Sequence, residues 1–180
     1  MSHINTKPGQ HDLTVSAQII RIDKGEPVII LHTHKKIGKL LHFGGHVELD
    51  EDPWQSVIRE INEESGYDIE QLRLLQPKIR LKKSSQGKLI PYPVAVKSVG
   101  YYGDQDKHHF HDDLIFAFVT KENPRHRLTR GESKDMRLLT RDALSKLHDH
   151  EVAVSVREVA LFVLDEVLPN WEQVPAESIN

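Results

Sequence analysis

The sequence predicts an α/β fold in a single domain, a β-sheet covered by helices on both faces. Three observations lead there. Short β-branched and aliphatic runs bounded by turn residues recur along the chain, as strands do. An amphipathic helix is written into the middle, from Pro53 to Ser65. Near the end, Val152, Val156, Val159, Ala160, Val163, Leu164 and Val167 repeat at helical spacing, so Glu151–Leu168 is expected to pack along the sheet. Strands mixed with two such helices favour a layered architecture. The 180 residues suit one domain with a sizeable core, and no internal repeat, low-complexity segment or linker divides them.

Taken in order, residues 1–12 are polar, contain Pro8-Gly9, and read as a flexible N-terminal arm. Leu13–Ile22 and Pro27–Thr33 form a strand pair about the turn at Asp23-Lys24-Gly25-Glu26. A basic loop, His34–Lys39, precedes the apolar run Leu40–Phe43 and the pair Gly44-Gly45. In the central helix Asp52 is the N-cap, Pro53 takes the first helical position, Gln55 closes a capping box and Gly66 stops the helix. Leu72–Lys83 alternates like a half-buried strand until Lys83, Ser84–Gly87 turns, and Pro93–Val99 is a further strand. Gly103–His111 reads as a polar loop, Asp113–Lys121 as a strand buried on both faces, and Glu122–Ser133 as a second basic loop. Met136–Leu139 is a short strand, Thr140 caps a short helix Arg141–Leu147, and Pro169 ends the last helix before a loose tail, 169–180.

At about 100° per residue, Trp54, Val57, Ile58, Ile61 and Ser65 share one side of the central helix, and Glu60, Glu63 and Glu64 gather on the other. Carboxylates three and four residues apart repel by a few tenths of a kcal/mol per pair, or roughly 0.2–0.5. Arg59 offsets only part of that charge, and a hard divalent cation with oxygen ligands would resolve it. Most acidic helix faces are merely solvated. Here the whole pattern matters: Gly45, then Glu51, then Arg59-Glu60-Ile61, then Glu63-Glu64, then Gly66-Tyr67. It resembles the Nudix box, G-x5-E-x7-R-E-U-x-E-E-x-G-U, where U is a bulky apolar residue. At ordinary residue frequencies its fixed positions coincide by chance about once in 10⁸ starting points.

The resemblance covers Gly45–Tyr67 and implies an α/β/α sandwich around a mixed sheet, spanning residues 13–168, with the box as loop–helix–loop. It implies a hydrolase that splits a phosphoanhydride in a nucleoside diphosphate linked to another moiety, with a nucleoside triphosphate or nucleotide-sugar as the leading substrate types. Mg²⁺ or Mn²⁺ is the implied cofactor, held by Glu60, Glu63, Glu64 and the backbone carbonyl of Gly45. Glu51 and Arg59 would brace the loop against the helix, with Gly66 as structural stop. The implied catalytic set is Glu60, Glu64, Arg59 and Glu132, with Glu60 the first candidate for general base and Glu132 the second. For Glu132 the plain surface carboxylate is the favoured reading.

Weaker candidates surround the box. Phe43, His46 and Lys39 are possible substrate contacts; Lys36, Arg125, Arg127 and Arg130 suit phosphate or simply water. Phe43, Tyr101, Tyr102 and Phe110 suit base stacking or the core. His108, His109 and His111 with Asp112 and Asp113 match no zinc pattern by spacing, and are read as polar contacts or surface. Two departures stand out. Phe43 replaces the proline many family members carry there, and the markers of the ADP-sugar, dinucleoside-polyphosphate, NADH and coenzyme A subfamilies are missing.

Composition excludes several classes. With no cysteine there are no disulfides, zinc-thiolate sites or thiol nucleophiles. A net charge of −3 exerts no bulk pull on nucleic acid or anionic membrane. No apolar run reaches the roughly 18–20 residues of a membrane span, and the N-terminus lacks a signal-peptide centre. The expectation is a cytoplasmic monomer or homodimer acting on a small nucleotide. The rival is a catalytically silent nucleotide-binding module, which would be expected to have lost box carboxylates; all four remain. An isomerase on the same scaffold finds no marker.

Overall fold

The computed structural model describes residues 7–22, 25–102, 108–128, 133 and 135–179. Its strands are β1 (His11–Arg21), β2 (Val28–Thr33), β3 (Leu40–Leu41) and β4 (Phe43–His46), followed by helix α1 (Pro53–Ser65). Then come β5 (Arg73–Gln76), β6 (Ala95–Tyr102), β7 (His108–Thr120), β8 (Met136–Thr140), α2 (Arg141–Ser145), α3 (Val154–Phe162) and β9 (Glu172–Pro175). The described strands make one nine-stranded mixed sheet. Its axis is the parallel pairing of β1 with β7, continuous from His11↔Phe110 to Arg21↔Thr120. The other edge of β1 is shared by β2 at Ile19–Arg21 and by β4 at Thr14–Ala17, both antiparallel.

Pleating sorts the side chains into two cores. Val15, Ala17, Ile19, Phe43, Phe116 and Phe118 face α1 and meet Trp54, Val57, Ile61 and Tyr67. Ile20, Ile29, Leu31, Ala117 and Val119 face the other way and meet Leu144, Val152, Val156, Ala160, Val163 and Val167. Helix, sheet, helix: the expected α/β/α sandwich is the observed one. Trp54 anchors the first layer, its ring 6.0 Å from that of Phe116 and 5.9 Å from that of Phe118.

α1 begins as its sequence dictates. The Asp52 carboxylate accepts from the N–H groups of Trp54 and Gln55 at 2.9 Å, and Gln55 Oε1 accepts from Asp52 N–H at 2.8 Å. It ends at Gly66, whose φ of +74° only glycine adopts freely; a Cβ there would also stand 2.4 Å from the His126 carbonyl oxygen.

Several expectations fail, each for a physical reason. The arm was expected to reach Asp12, but β1 starts at His11 because β7 offers it a parallel partner that far. The same pairing draws 108–111, expected as loop, into β7, with β6 on its other edge. The alternation of Leu72–Lys83 stops pairing at Gln76. Pro77 has no N–H to donate, and Ile79 and Leu81 are exposed. The last helix is not uniform: after Phe162 the turn Val163–Val167 widens, Leu168 N–H reaching back to Val163 O, before the short turn Leu168–Asn170. Pro169 explains this, since its ring crowds the carbonyl four residues back and a wider turn relieves it. The tail is not loose either. Its β9 pairs with β5, covering what would be an open edge, and Ala176 is fully buried.

Candidate active site

The site is made where β4 crosses over α1. Gly44 and Gly45 lie in β4 opposite Ser16 and Val15. Gly44 has φ +151°, and a Cβ there would stand 2.1 Å from the Val15 carbonyl oxygen, so only glycine lets the strands approach this closely. Its N–H donates to Glu64 Oε2 at 2.8 Å, joining strand to helix.

The glutamates on α1 are not a solvent-facing stripe. Glu60 is fully buried and Glu64 nearly so, while the Glu63 side chain is 43 % exposed. The wheel placed all three opposite the apolar side, and the strand with the glycine pair covers two of them. Arg59 ties the cluster together. Its Nε and Nη2 donate to Glu51 Oε2 and Oε1 at 3.1 and 2.7 Å, and Nη1 donates to Glu60 Oε1 at 2.7 Å. Nη2 also donates to the His46 carbonyl at 3.2 Å, and Glu63 Oε2 lies 3.5 Å from Nη1. Burial disfavours charge on Glu51, but Arg59 and the Glu48 N–H outweigh it and hold the carboxyl below its ordinary range. The Arg59 guanidinium is correspondingly raised, first by its hydrogen bond to Glu51.

Glu60 goes the other way. Burial pushes its pKa up, Arg59 opposes, and the neighbouring Glu63 and Glu51 add to the rise. Glu60 Oε2 is buried with no hydrogen-bond partner among the described residues. Such an oxygen is costly unless something with positive charge completes it. Oxygen donors such as those of Glu60, Glu63 and Glu64 are the type a hard divalent cation takes. His32 is also buried here, its Nε2 3.9 Å from Glu64 Oε2. Burial, helped by His34 and His42, drives its pKa from 6.5 to about 4, so it is neutral at pH 7. The register of β2 on β1 brings it over the helix.

The weaker candidates disperse. Phe43 is fully buried in the core, its ring 5.0 Å from His32, and is not available for base stacking. His46 presents its carbonyl to the box, accepting from Arg59 and from Ser56 Oγ, while strand alternation turns its ring to the opposite face of the sheet. Lys39 is half-buried, and its carbonyl accepts from His34 N–H. Phe110 stacks on His11, ring centroids 4.8 Å apart. Glu132, Arg130 and the side chains of Tyr101 and Tyr102 lie outside the described residues. A cavity of about 930 Å³ opens elsewhere, lined by Arg80, Lys82, Lys88 and Tyr92 among others, and shares no wall with the box carboxylates. No described helix is long and apolar enough to cross a membrane.

Comparison with known proteins agrees with this geometry. A Nudix-family hydrolase from Clostridium perfringens is similar over 86 % of this chain and 96 % of its own, at 31 % identity and TM-score 0.68. An Ap4A hydrolase from C. elegans, in a binary complex, shares the fold at 16 % identity and TM-score 0.53, covering 87 % of this chain and 96 % of its own. A UDP-X diphosphatase does so at 17 % identity and TM-score 0.54, covering 91 % of this chain and 64 % of its own. No curated protein matches. The NUDIX domain model matches residues 12–159, most of the chain and all of the box, and the protein therefore belongs to the Nudix hydrolase family.

Proposed function

We propose that this protein is a divalent-metal-dependent pyrophosphohydrolase acting on a small nucleotide in which a nucleoside diphosphate is linked to a further group. The observation that carries the reading is Glu60, fully buried beside Arg59 with one oxygen lacking a partner, next to Glu64 under the glycine pair. Glu60, Glu63, Glu64 and the Gly45 carbonyl would hold Mg²⁺ or Mn²⁺. Bound there, the ion supplies neutralisation of phosphoryl charge and a more acidic water.

The chain's own residues do the rest. Arg59, fixed by two bonds to Glu51, keeps Glu60 Oε1 in place and leaves Oε2 as the free acceptor. Burial raises the pKa of Glu60, which favours proton uptake there, and it is our candidate for the base; Glu132 is the second. Gly44 N–H orients Glu64 without adding charge. Neutral His32 closes the buried end of the site at no electrostatic cost to the carboxylates. Substrate types to try follow from what the structural relatives are: an Ap4A hydrolase and a UDP-X diphosphatase.

The test is product release from a panel of nucleoside triphosphates, nucleotide-sugars and dinucleoside polyphosphates, with Mg²⁺, with chelator, and with Glu64→Gln. Metal-dependent turnover that falls by about 10³-fold in the variant is the expected result. No turnover on any compound, with nucleotide still raising Tm, would leave a binding module instead.

A further inference from the structure

On the face of the sheet away from α1, three central strands bring together side chains that the box does not use. Asp12 on β1, His46 on β4 and His111 on β7 each offer a ligand atom, and these atoms lie within 4.8 Å of one another. We infer a second, separate metal site there: two imidazoles and one carboxylate that bind a late first-row divalent cation, with Zn²⁺ as the representative ion. It stands independently of the hydrolase reading.

The backbone accounts for the convergence. Asp12 and His111 are direct partners in the parallel β1–β7 ladder, and His46 is paired with Thr14, two residues along β1 on the same face. His46 Nε2 lies 3.7 Å from Asp12 Oδ2, and the rings of His46 and His111 meet edge-on at 4.9 Å. Two ligands of one tetrahedral zinc at about 2.1 Å stand about 3.4 Å apart, so side-chain rotations that draw these three atoms together would supply three positions and leave the fourth for water. Asp12 and His46 are buried, 1 % and 8 % exposed, on a rigid sheet rather than on loops. His109 borders the same point, its Nε2 3.1 Å from His111 Nε2 and 3.9 Å from Asp12 Oδ2.

The nearby carboxylate of Asp113 is not part of the set. It accepts from Thr14 Oγ1 and Ser16 Oγ, and Lys97 Nζ lies 3.9 Å away, so its charge is already met within the protein. Ligand chemistry separates the two centres. Imidazole nitrogen with a single carboxylate suits zinc and its neighbours, whereas the all-oxygen box suits Mg²⁺. They are joined through His46, whose carbonyl is held by Arg59 on one side of β4 while its ring faces the other ion site.

The experiment is a Zn²⁺ titration of tag-free, chelator-stripped protein in millimolar Mg²⁺, by calorimetry and by competition with a chromophoric chelator. The visible spectrum of the Co²⁺ form reports the ligand set. One Zn²⁺ per chain is expected, weakened by about 100-fold or more in His46→Ala and in His111→Ala. Glu64→Gln should bind it as the parent does. Asp12→Asn, nearly isosteric, is the variant to use if a histidine variant fails to fold, and it should show the same loss. Failure of the parent to bind, binding that survives these substitutions (as surface pairs such as His148 and His150 would give), or loss in Glu64→Gln would each overturn the inference.

Discussion

Replacing Glu60 by glutamine should move stability in opposite directions with and without metal. In metal-free protein Arg59 donates a charged hydrogen bond to Glu60 Oε1 at 2.7 Å, and Oε2 has no partner among the described residues. Glutamine keeps an acceptor for Arg59 and places an amide where Oε2 stood. An unsatisfied neutral amide costs about 1–3 kcal/mol, against several for a buried ionised oxygen. The raised pKa of Glu60 has the same sign: burial outweighs Arg59, so ionising this carboxyl costs more in the folded state than in the unfolded one. At pH 8 in chelator, Glu60→Gln should therefore be more stable than the parent by about 1 kcal/mol. With Mg²⁺ at a hundred times its Kd, the parent gains about 2.7 kcal/mol. For a domain of this size that raises Tm by about 5–10 °C. The variant should gain almost nothing and fall below the parent. Thermal melts with chelator and over a Mg²⁺ series read both effects. A variant less stable in chelator, or one that responds to Mg²⁺ as the parent does, would refute the placement of the ion on Glu60.

Gly44→Ala puts a Cβ 2.1 Å from the Val15 carbonyl oxygen at a positive φ, and should cost about 3 kcal/mol in urea unfolding; a loss under about 1 kcal/mol would mean that β4 yields more easily than its pairing suggests. Arg59→Lys cannot reproduce the fork to Glu51 together with the bond to Glu60, and should lower stability by about 2 kcal/mol and weaken Mg²⁺ binding; the same change in a Glu51→Gln background should do much less. His32, depressed to about 4, contributes stability that is complete above pH 6.5 and lost as pH falls toward 4. The loss is on the order of 3 kcal/mol, and His32→Asn should flatten that part of a urea-midpoint profile; a variant that tracks the parent over this window would count against it.

Much of this protein is legible without coordinates because it is local. Caps, turn glycines and helical periodicity act within a few residues, so α1 from Asp52 to Gly66 was readable at both ends. Helical spacing likewise announces the acidic cluster of Glu60, Glu63 and Glu64, and the resemblance to the Nudix box implies the Arg59–Glu51 pair. What depends on partners distant in sequence was not readable. The burial of Glu60 and Glu64 comes from β4 lying over α1, and the entry of His32 into the site comes from the register of β2. Pairing with β7 turned His11 and Asp12 of an expected arm, and 108–111 of an expected loop, into strand, and an open edge on β5 recruited the tail. Residues 12, 46 and 111 are remote in sequence and meet because ladder register, a property of the folded sheet, sets them on one face.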